Sequence, residues 1–329
     1  MTKLEQAIQN YASLNADLGL RDVTDLNLAI TSGKTQKVID DAERQQEADL
    51  HRIAGVIASR PEIKMILLSG PSSSGKTSTA NRLALHLTDY GKKPLILSMD
   101  NWFVNREDSP LDENGEKDYE SIYALDIKTF QRDLRDLIDG VRIAMPTYNF
   151  TRGEREFRGE TLQLHSGNLL IIEGIHALNP MLTETIADRN KFLLYASALT
   201  SLRIDDETRI STSENRLIRR MCRDYTTRGV SAEDTLHRWQ SVRRGEEKWI
   251  FPYQENADVM FNTAMIYELS ALQPKALFIL RQVPISSPMR AEAERLIHFL
   301  SFFTPISDIG IPSHSIIREF IGGSAFDVA

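Results

Sequence analysis

The 329-residue chain lacks the features that mark secreted and membrane proteins. It has one cysteine, Cys222, so no internal disulfide can form, and a reducing cytoplasm fits this composition. No apolar run reaches the ~18–20 residues of a membrane span, and the first residues contain no apolar signal core. We interpret Cys222 as a small packing residue rather than a reactive thiol. The sequence therefore predicts a cytoplasmic protein without a membrane partner.

The chain also lacks an excess of basic residues. Its 39 lysines and arginines are outnumbered by 46 acidic residues, which gives a net charge of −7. A general nucleic-acid binder would usually be basic. This balance argues against a nucleic-acid partner, although it leaves room for a locally basic pocket. The hydrophobic fraction of 41% and the charged fraction of 26% are ordinary for a globular protein.

One octet, GPSSSGKT at residues 70–77, fits the phosphate-binding pattern G-x-x-x-x-G-K-[ST]. It follows a predicted buried strand, Ile63–Ser69, and precedes a predicted helix, Ser78–Tyr90. Glycines permit a tight turn whose backbone N–H groups point at phosphate oxygens, and the helix N-terminus adds positive potential. In this pattern Lys76 reaches the β- and γ-phosphates, and the Thr77 hydroxyl binds Mg²⁺. The predicted ATP-binding residues are Gly70, Pro71, Ser72, Ser73, Ser74, Gly75, Lys76, Thr77 and Ser78.

A second Gly-Lys-Thr sequence, at residues 33–35, lacks the rest of the pattern. The first glycine of the octet would have to stand at Leu28, and no apolar strand precedes it. We interpret this segment as a turn followed by the start of a helix. A plain Gly/Ser turn is also the alternative for residues 70–77, and the flanking strand and helix argue against it.

Short apolar runs recur along the chain, separated by helical or loop sequence. They are Ile63–Leu68, Leu95–Met99, Leu169–Ile172, Phe192–Ala196 and Val259–Phe261. Continuous apolar strands that alternate with helices indicate a parallel sheet covered on both faces. The expected fold class is α/β, with a P-loop NTPase-type parallel sheet, an arginine-rich helical lid, and helical N- and C-terminal extensions.

Carboxylates follow two of these predicted strands. Asp100 comes after the second strand, and Glu173 comes after the third. Open α/β sheets bind ligands at the carboxyl ends of their strands. In a P-loop protein one such carboxylate can hold Mg²⁺ or its water, and another can accept a proton from an attacking hydroxyl. The alternative, acids that are solvated or cap the next helix, is less favoured with a P-loop in the same sheet.

A predicted helix, residues 213–228, carries four arginines at i, i+3, i+4 and i+7, which places them on one face. They are Arg216, Arg219, Arg220 and Arg223. Like charges at this spacing repel, so the stripe predicts an opposing anion. Guanidinium groups suit phosphate oxygens, and Arg228 follows in the same region. The alternative is a solvated face neutralised by Glu214, Asp224 and nearby acids.

The polar stretch between the second and third strands carries clustered aromatic, amide and charged residues. They lie at 118–120 (DYE) and 146–152 (PTYNFTR). Such groups suit a polar small molecule with a ring, although surface-loop composition explains them equally well.

Together these motifs resemble the uridine kinase/phosphoribulokinase family of P-loop kinases. The similar segments are GPSSSGKTS (70–78), SMDNWF (98–103), PTYNF (146–150), IIEGIHAL (171–178), RLIRRMCRDYTTRG (216–229) and ADVMFN (257–262). The chain looks closest to a bacterial uridine kinase-like branch, on residues 241–262 and 315–324. Longer members of that branch carry an N-terminal domain similar to that of threonyl-tRNA synthetase. About 60 residues precede the kinase core here, so we expect that domain to be missing or vestigial.

The resemblance implies an ATP-dependent small-molecule kinase with Mg²⁺ as cofactor. Asp100 matches the general base that activates the acceptor hydroxyl, and Glu173 matches the acidic residue near the magnesium. Arg223 and Arg228 match lid arginines that contact the ATP phosphates. With Lys76, the residues Asp100 and Arg223 form the expected catalytic set.

On the acceptor side the resemblance is looser. Arg220 matches an arginine near the nucleoside, Tyr148 matches an aromatic residue at its base, and Glu120 stands where uridine kinases carry an Asp that binds the ribose hydroxyls. The histidine that reads the pyrimidine edge is absent from residues 148–153, and the Arg-Gly-Arg of the lid becomes Arg-Gly-Val. Arg152 is predicted to contact an acceptor that already carries a phosphate or carboxylate.

The expected function is transfer of the γ-phosphate of ATP to a hydroxyl of a nucleoside or nucleoside-like acceptor. A phosphosugar or other metabolite kinase, as in phosphoribulokinase, is one alternative. A non-catalytic nucleotide sensor is another, although a strand-end aspartate and a dense arginine lid are unnecessary for mere binding. The expected partners are ATP and the acceptor.

We expect three parts: a helical N-terminal extension (1–60), a P-loop kinase domain (61–265) and a C-terminal extension that packs on the core (266–329). Within the kinase domain, residues 100–168 form an acceptor-pocket insertion with one clear helix, Ile127–Asp139, and loops or a small hairpin. Residues 213–249 form the lid. Aromatic residues near the end of the chain suit core packing or a subunit interface, so a homo-oligomer stays open.

Overall fold

The computed structural model describes residues 1–205 and 208–328. In these ranges the strands are β1 (Met65–Ser69), β2 (Lys93–Ser98), β3 (Ile143–Asn149), β4 (Glu154–Leu162), β5 (Asn168–Glu173), β6 (Lys191–Ser197) and β7 (Val259–Asn262). Five of them form one parallel sheet in the spatial order β2–β5–β1–β6–β7, and β3 pairs with β4 as an antiparallel hairpin. The five strands predicted from the apolar runs are confirmed, and so is the hairpin in the polar insertion.

The α-helices of the same ranges are α1 (Lys3–Asp17), α2 (Val23–Thr31), α3 (Thr35–Ala58), α4 (Lys76–Asp89), α5 (Ile127–Ile138), α6 (Thr212–Thr227), α7 (Ala232–Trp249), α8 (Glu268–Leu280), α9 (Arg290–Leu300) and α10 (Arg318–Ile321). The second Gly-Lys-Thr sequence lies where α2 ends and α3 begins, as predicted. None of the helices in the described residues is long and apolar enough to cross a membrane.

Helices cover both faces of the sheet because side chains alternate along its buried strands. Ile66 and Leu68 of β1 point to a large core with α3, α4, α6, α8 and α9, and Met65 and Leu67 point to a smaller core with α5. Trp102 fills the smaller core, and its indole N–H donates to the Asp133 carboxylate of α5 at 2.9 Å. The predicted α/β fold with helices on both faces is therefore confirmed.

The helical extensions at both ends pack on this framework. Lys3 at the start of α1 donates from its ammonium group to the carbonyl oxygen of Ala257, at 2.7 Å. In the C-terminal part, Glu268 of α8 accepts a hydrogen bond from the Arg219 guanidinium of α6 at 3.2 Å. Cys222 is buried in α6, where burial raises the pKa of its thiol to about 12, which fits a packing role.

Candidate active site

The predicted phosphate-binding residues 70–78 form the loop after β1 and the first turn of α4. Gly75 ends the loop with φ of 81°, a left-handed conformation that favours glycine. A Cβ atom at Gly70 would overlap the carbonyl oxygen of Ala196 on the neighbouring strand β6. The ammonium group of Lys76 donates to the carbonyl oxygen of Pro71 at 3.2 Å, so it lies back across its own loop. This is the geometry that a phosphate cradle requires.

Residues from two distant parts of the chain hold this loop. The Thr263 hydroxyl, just after β7, donates to the carbonyl oxygen of Ser74 at 2.6 Å. Glu246 of α7 accepts from the backbone N–H of Ser72 at 3.2 Å, and Arg216 of α6 donates to the carbonyl oxygen of Ser72 at 3.1 Å. The loop is thus fixed at two of its three serines, Ser72 and Ser74, before any ligand binds.

Asp100 and Glu173 lie at the same edge of the sheet as the phosphate loop. Glu173 is the last residue of β5, and its partner in register on β2 is Ser98, two residues before Asp100. Burial raises the pKa of both carboxyl groups, and the Asp100 charge raises that of Glu173 further. Lys76 opposes both shifts, while burial lowers the pKa of its own ammonium group. The two carboxylates and the lysine therefore form one electrostatically coupled group.

The arginine stripe of α6 does not face a single anion, which corrects the prediction for two of its members. Arg216 forms an ion pair with Glu246, and Arg219 forms one with Glu268 of α8; all four side chains are buried. Arg219 also donates to the carbonyl oxygen of Thr263 at 2.8 Å. The prediction of one opposing anion was wrong for Arg216 and Arg219, because their carboxylate partners lie 30 and 49 residues further along the chain, on other helices.

The remaining arginines gather around Asp224. Its carboxylate lies 3.4 Å from Arg220, 2.9 Å from Arg223 and 3.4 Å from Arg228. Burial alone would raise the pKa of Asp224, but the three guanidinium groups offset it and lower the pKa overall. The charge of Asp100 reaches Arg223 and Arg228, since both arginines act to lower the pKa of Asp100. One carboxylate thus holds three cations together, and one of them, Arg220, contacts the phosphate loop at the Ser72 hydroxyl.

Glu120 joins this group from the polar insertion. Its carboxylate lies 3.7 Å from the Arg220 guanidinium, and Arg220 also donates to the Ser72 hydroxyl at 2.8 Å. Burial raises the pKa of Glu120 to about 7, although Arg220 works against the shift. One carboxylate oxygen of Glu120 is buried without a hydrogen-bond partner in the described chain. An acid in this state can accept a ligand hydroxyl or donate a proton to a ligand oxygen.

Tyr148 lies on β3 in a small aromatic cluster. Its ring meets Phe103 edge-on at 5.8 Å and Phe150 at 5.2 Å between centroids. Its backbone N–H donates to the amide oxygen of Asn101, next to Asp100, at 3.2 Å. The Arg228 guanidinium lies 4.7 Å from the Phe150 centroid, so the end of α6 contacts the hairpin.

The structure does not bring Arg152 into this group. Its side chain is 64% exposed at the turn between β3 and β4, and it pairs with Glu154 at 3.2 Å and Glu156 at 3.4 Å. Thr77 lies on the first turn of α4, directly after the phosphate loop, whereas Tyr148 lies on the hairpin.

Sequence reasoning missed two residues of the site and gave another only as a counter-charge. Glu246 and Glu319 contact the loop and the start of α4, but no local pattern marks either one as a partner of residues 72–78. Asp224 was considered only as a counter-charge, although its three arginine partners lie one and four residues before it and four residues after it, so helical spacing could have found the contacts.

The sequence profile of the Phosphoribulokinase / Uridine kinase family matches residues 65–269. The chain belongs to this family. It is 27% identical over 197 residues to a uridine kinase of Staphylococcus haemolyticus, covering 60% of this chain and 86% of that protein. The identity to a uridine kinase of Staphylococcus aureus is 26%, with the same coverage of both chains. A solved structure described as a possible uridine kinase from Bacillus stearothermophilus covers 67% of this chain and 98% of its own, with 20% identity and a TM-score of 0.44.

Membership identifies the chain as a P-loop kinase, a phosphotransferase that uses ATP and a small-molecule substrate. The matched region contains the phosphate loop, both strand-end carboxylates and the arginine helix. Residues 1–64 and 270–329 lie outside the match.

Proposed function

We propose that the protein transfers the γ-phosphate of ATP to a hydroxyl of a nucleoside or nucleoside-like acceptor. The observation that supports it most is the coupled group of Asp100, Glu173 and Lys76 at one edge of the sheet, beside the phosphate loop. A carboxylate next to a bound phosphate is unfavourable unless it accepts a proton or faces a cation. Two carboxylates and a lysine together meet both conditions.

In the proposed reaction, Asp100 accepts the proton of the acceptor hydroxyl. The acceptor oxygen forms a bond to the γ-phosphorus, and the bond from that phosphorus to the β,γ-bridging oxygen breaks to release ADP. Lys76 and Arg223 stabilise the charge that develops on the phosphoryl oxygens, and Arg228 adds a third cation. The loop N–H groups of residues 70–78 hold the remaining phosphate oxygens.

The residues present fit a magnesium ion. Mg²⁺ prefers oxygen ligands and is bound through one or two carboxylates together with phosphates and water. Burial and mutual repulsion raise the pKa of Glu173 beside Asp100, and a divalent cation would relieve that repulsion. The Thr77 hydroxyl and Glu173 would hold the ion, which would neutralise negative charge on the phosphates of ATP.

The acceptor would lie between Asp100 and the polar insertion. Glu120 can bind a pair of hydroxyl groups, since it is buried beside Arg220 with one oxygen unpartnered. Tyr148 offers an aromatic face beside Asn101 and Phe103. A hydroxyl-bearing ring with a flat base fits these two features.

The test is ADP release from Mg-ATP across nucleosides, nucleoside monophosphates, pentoses and phosphosugars. We expect acceptor-dependent release with one class, and at least a ~100-fold fall in kcat for Asp100→Asn, because the general base is lost. The ATP dissociation constant should stay nearly unchanged. Asp108→Asn, an exposed acid of the same insertion, is the matched control. Turnover that survives Asp100→Asn would refute the general base, and a flat panel with tight ATP binding would favour a sensor.

Arg152 remains a prediction as a contact to an anionic acceptor. Arg152→Ala is compared with Arg158→Ala, because both exposed arginines pair with Glu156 on the same hairpin. A rise in acceptor KM that is confined to Arg152→Ala supports the anionic acceptor. Equal KM values for the two variants contradict it.

A further inference from the structure

The C-terminal segment 315–321 packs directly against the phosphate loop and the start of α4. A Cβ atom at Gly75 would lie 2.7 Å from Cγ2 of Ile316, so loop and segment are in tight contact. Phe320 lies under the Arg219 guanidinium, with 4.8 Å to the ring centroid. Ile316 and Phe320 are fully buried, so this contact is part of the core. The segment itself lies beyond residue 269, where the family match ends.

This segment places a carboxylate at the nucleotide site. Glu319 is 7% exposed, and its Oε2 accepts a hydrogen bond from the Ser78 hydroxyl at 2.7 Å. Ser78 is two residues after Lys76, on the first turn of α4, where the helix dipole favours a negative charge. Among the described residues no other hydrogen bond to the Glu319 carboxylate is found, so its second oxygen, Oε1, has no protein donor.

The charge of Glu319 reaches the residues that would hold the phosphates. It acts to raise the pKa of Lys76, of Arg223 and of Glu173. A carboxylate whose charge acts on these residues would repel a bound polyphosphate, unless its free oxygen faces an O–H donor of the bound nucleotide complex. Two donors of that kind exist in Mg-ATP: the ribose hydroxyls and the water molecules bound to the metal.

We propose that Glu319 is a nucleotide-binding residue, which the C-terminal segment supplies to the ATP site. Its Oε2 is held by Ser78, and its Oε1 accepts a hydrogen bond from an O–H group of bound Mg-ATP. The inference rests on the proposed function for the identity of the nucleotide only, because binding of ATP needs no acceptor.

The experiment is calorimetric titration of the full chain with Mg-ATP in the absence of any acceptor. Loss of a hydrogen bond to a charged group should weaken Mg-ATP binding by about tenfold in Glu319→Gln. Glu319→Asp should recover part of the affinity. Glu294→Gln, an exposed acid of α9 that pairs with Arg290, is the control and should bind Mg-ATP as the wild type does. If Glu319→Gln fails to fold, Glu319→Asp carries the test, because it keeps the charge but shortens the side chain by one methylene; Mg-ATP binding equal to that of the wild type would then count against the proposal.

Two further titrations identify the donor. If a ribose hydroxyl donates, 2′-deoxy- or 3′-deoxy-ATP binds the wild type more weakly and loses nothing more in Glu319→Gln. If metal-bound water donates, the defect of Glu319→Gln disappears with ATP in the absence of Mg²⁺. Unchanged or tighter Mg-ATP binding by Glu319→Gln would overturn the proposal, and tighter binding would show that the segment repels the nucleotide. Asp100→Asn should bind Mg-ATP normally, so a failure of the proposed reaction is distinguishable from a failure here.

Discussion

Arg216 and Glu246 form a buried ion pair that binds both backbone groups of Ser72 in the phosphate loop. Besides the pair itself, with 2.8 Å between Nη2 and Oε2, Glu246 accepts from the Ser72 N–H and Arg216 donates to the Ser72 carbonyl oxygen. Arg243 adds a partly exposed contact to Glu246 at 2.9 Å. The pair thus joins α6 and α7 to the loop, and its charges are not available to a ligand.

Replacing Arg216 by methionine should destabilise the fold strongly, because Glu246 would lose its main partner while still buried. Breaking such a pair from one side typically lowers the free energy of unfolding by about 3–5 kcal/mol. Urea unfolding measures the change. Arg244→Met is the control, since Arg244 pairs with Asp112 at the surface and should change stability by less than about 1 kcal/mol. Similar midpoints for both variants would contradict a structural role for the Arg216–Glu246 pair.

Gly75→Ala should damage the fold and ATP binding more than Gly91→Ala does. Both glycines have left-handed φ angles, 81° and 73°, so an L-residue is strained by about 1–2 kcal/mol at either position. A Cβ atom at Gly91 meets nothing within 4 Å, whereas one at Gly75 meets Ile316. Thermal unfolding and ATP titration of the two variants separate strain from contact. Equal losses of stability would show that the contact with Ile316 is easily relieved.

Asp224→Asn should weaken catalysis indirectly, because Asp224 acts through the arginines that it positions. The substitution removes the charge that holds Arg220, Arg223 and Arg228, so the guanidinium groups lose their shared position. We expect kcat/KM for ATP to fall by about tenfold or more, as for loss of charge-assisted hydrogen bonds. Asp188→Asn, a fully exposed acid that pairs with Lys191, should have no effect. An unchanged kcat/KM in Asp224→Asn would mean that the phosphates alone order the arginines.

Glu120 makes the stability of the ligand-free protein depend on pH. Burial raises its pKa from 4.5 to about 7, so the folded state binds a proton that the unfolded state releases between those values. The contribution of Glu120 is therefore fully present below pH 4.5 and is lost as pH rises through about 7. Glu120→Gln removes this dependence on pH. The free energy of unfolding of the variant, measured with urea relative to the wild type, should therefore be higher at pH 8 than at pH 5 by on the order of 1–3 kcal/mol. A pH-independent difference between the two proteins would contradict the raised pKa.

The sequence predicted the sheet and the phosphate loop well, because both are local patterns. Continuous apolar runs identify buried parallel strands, and the octet at residues 70–77 identifies the loop because a strand precedes it and a helix follows it, which the Gly-Lys-Thr at residues 33–35 lacks. The arginine helix shows where such reasoning ends. Its period correctly places Arg216 and Arg219 on one face, but their partners Glu246 and Glu268 are brought there only by packing of α7 and α8. The strand-end pattern predicts Asp100 and Glu173, the family resemblance adds their expected roles, and the structure places both at one edge of the sheet.

Ile316 and Glu319 contact Gly75 and Ser78, so the stability of the C-terminal segment is coupled to that of the phosphate loop. Whatever binds the folded loop, and not the unfolded chain, also stabilises the segment that packs on it, by RT ln(1 + [L]/Kd). Backbone amides of residues 315–321 should therefore exchange with solvent more slowly when nucleotide is bound, although most of these residues need not touch it. Local opening of the C-terminal segment should then favour release of the nucleotide, and nucleotide binding should make that opening rarer.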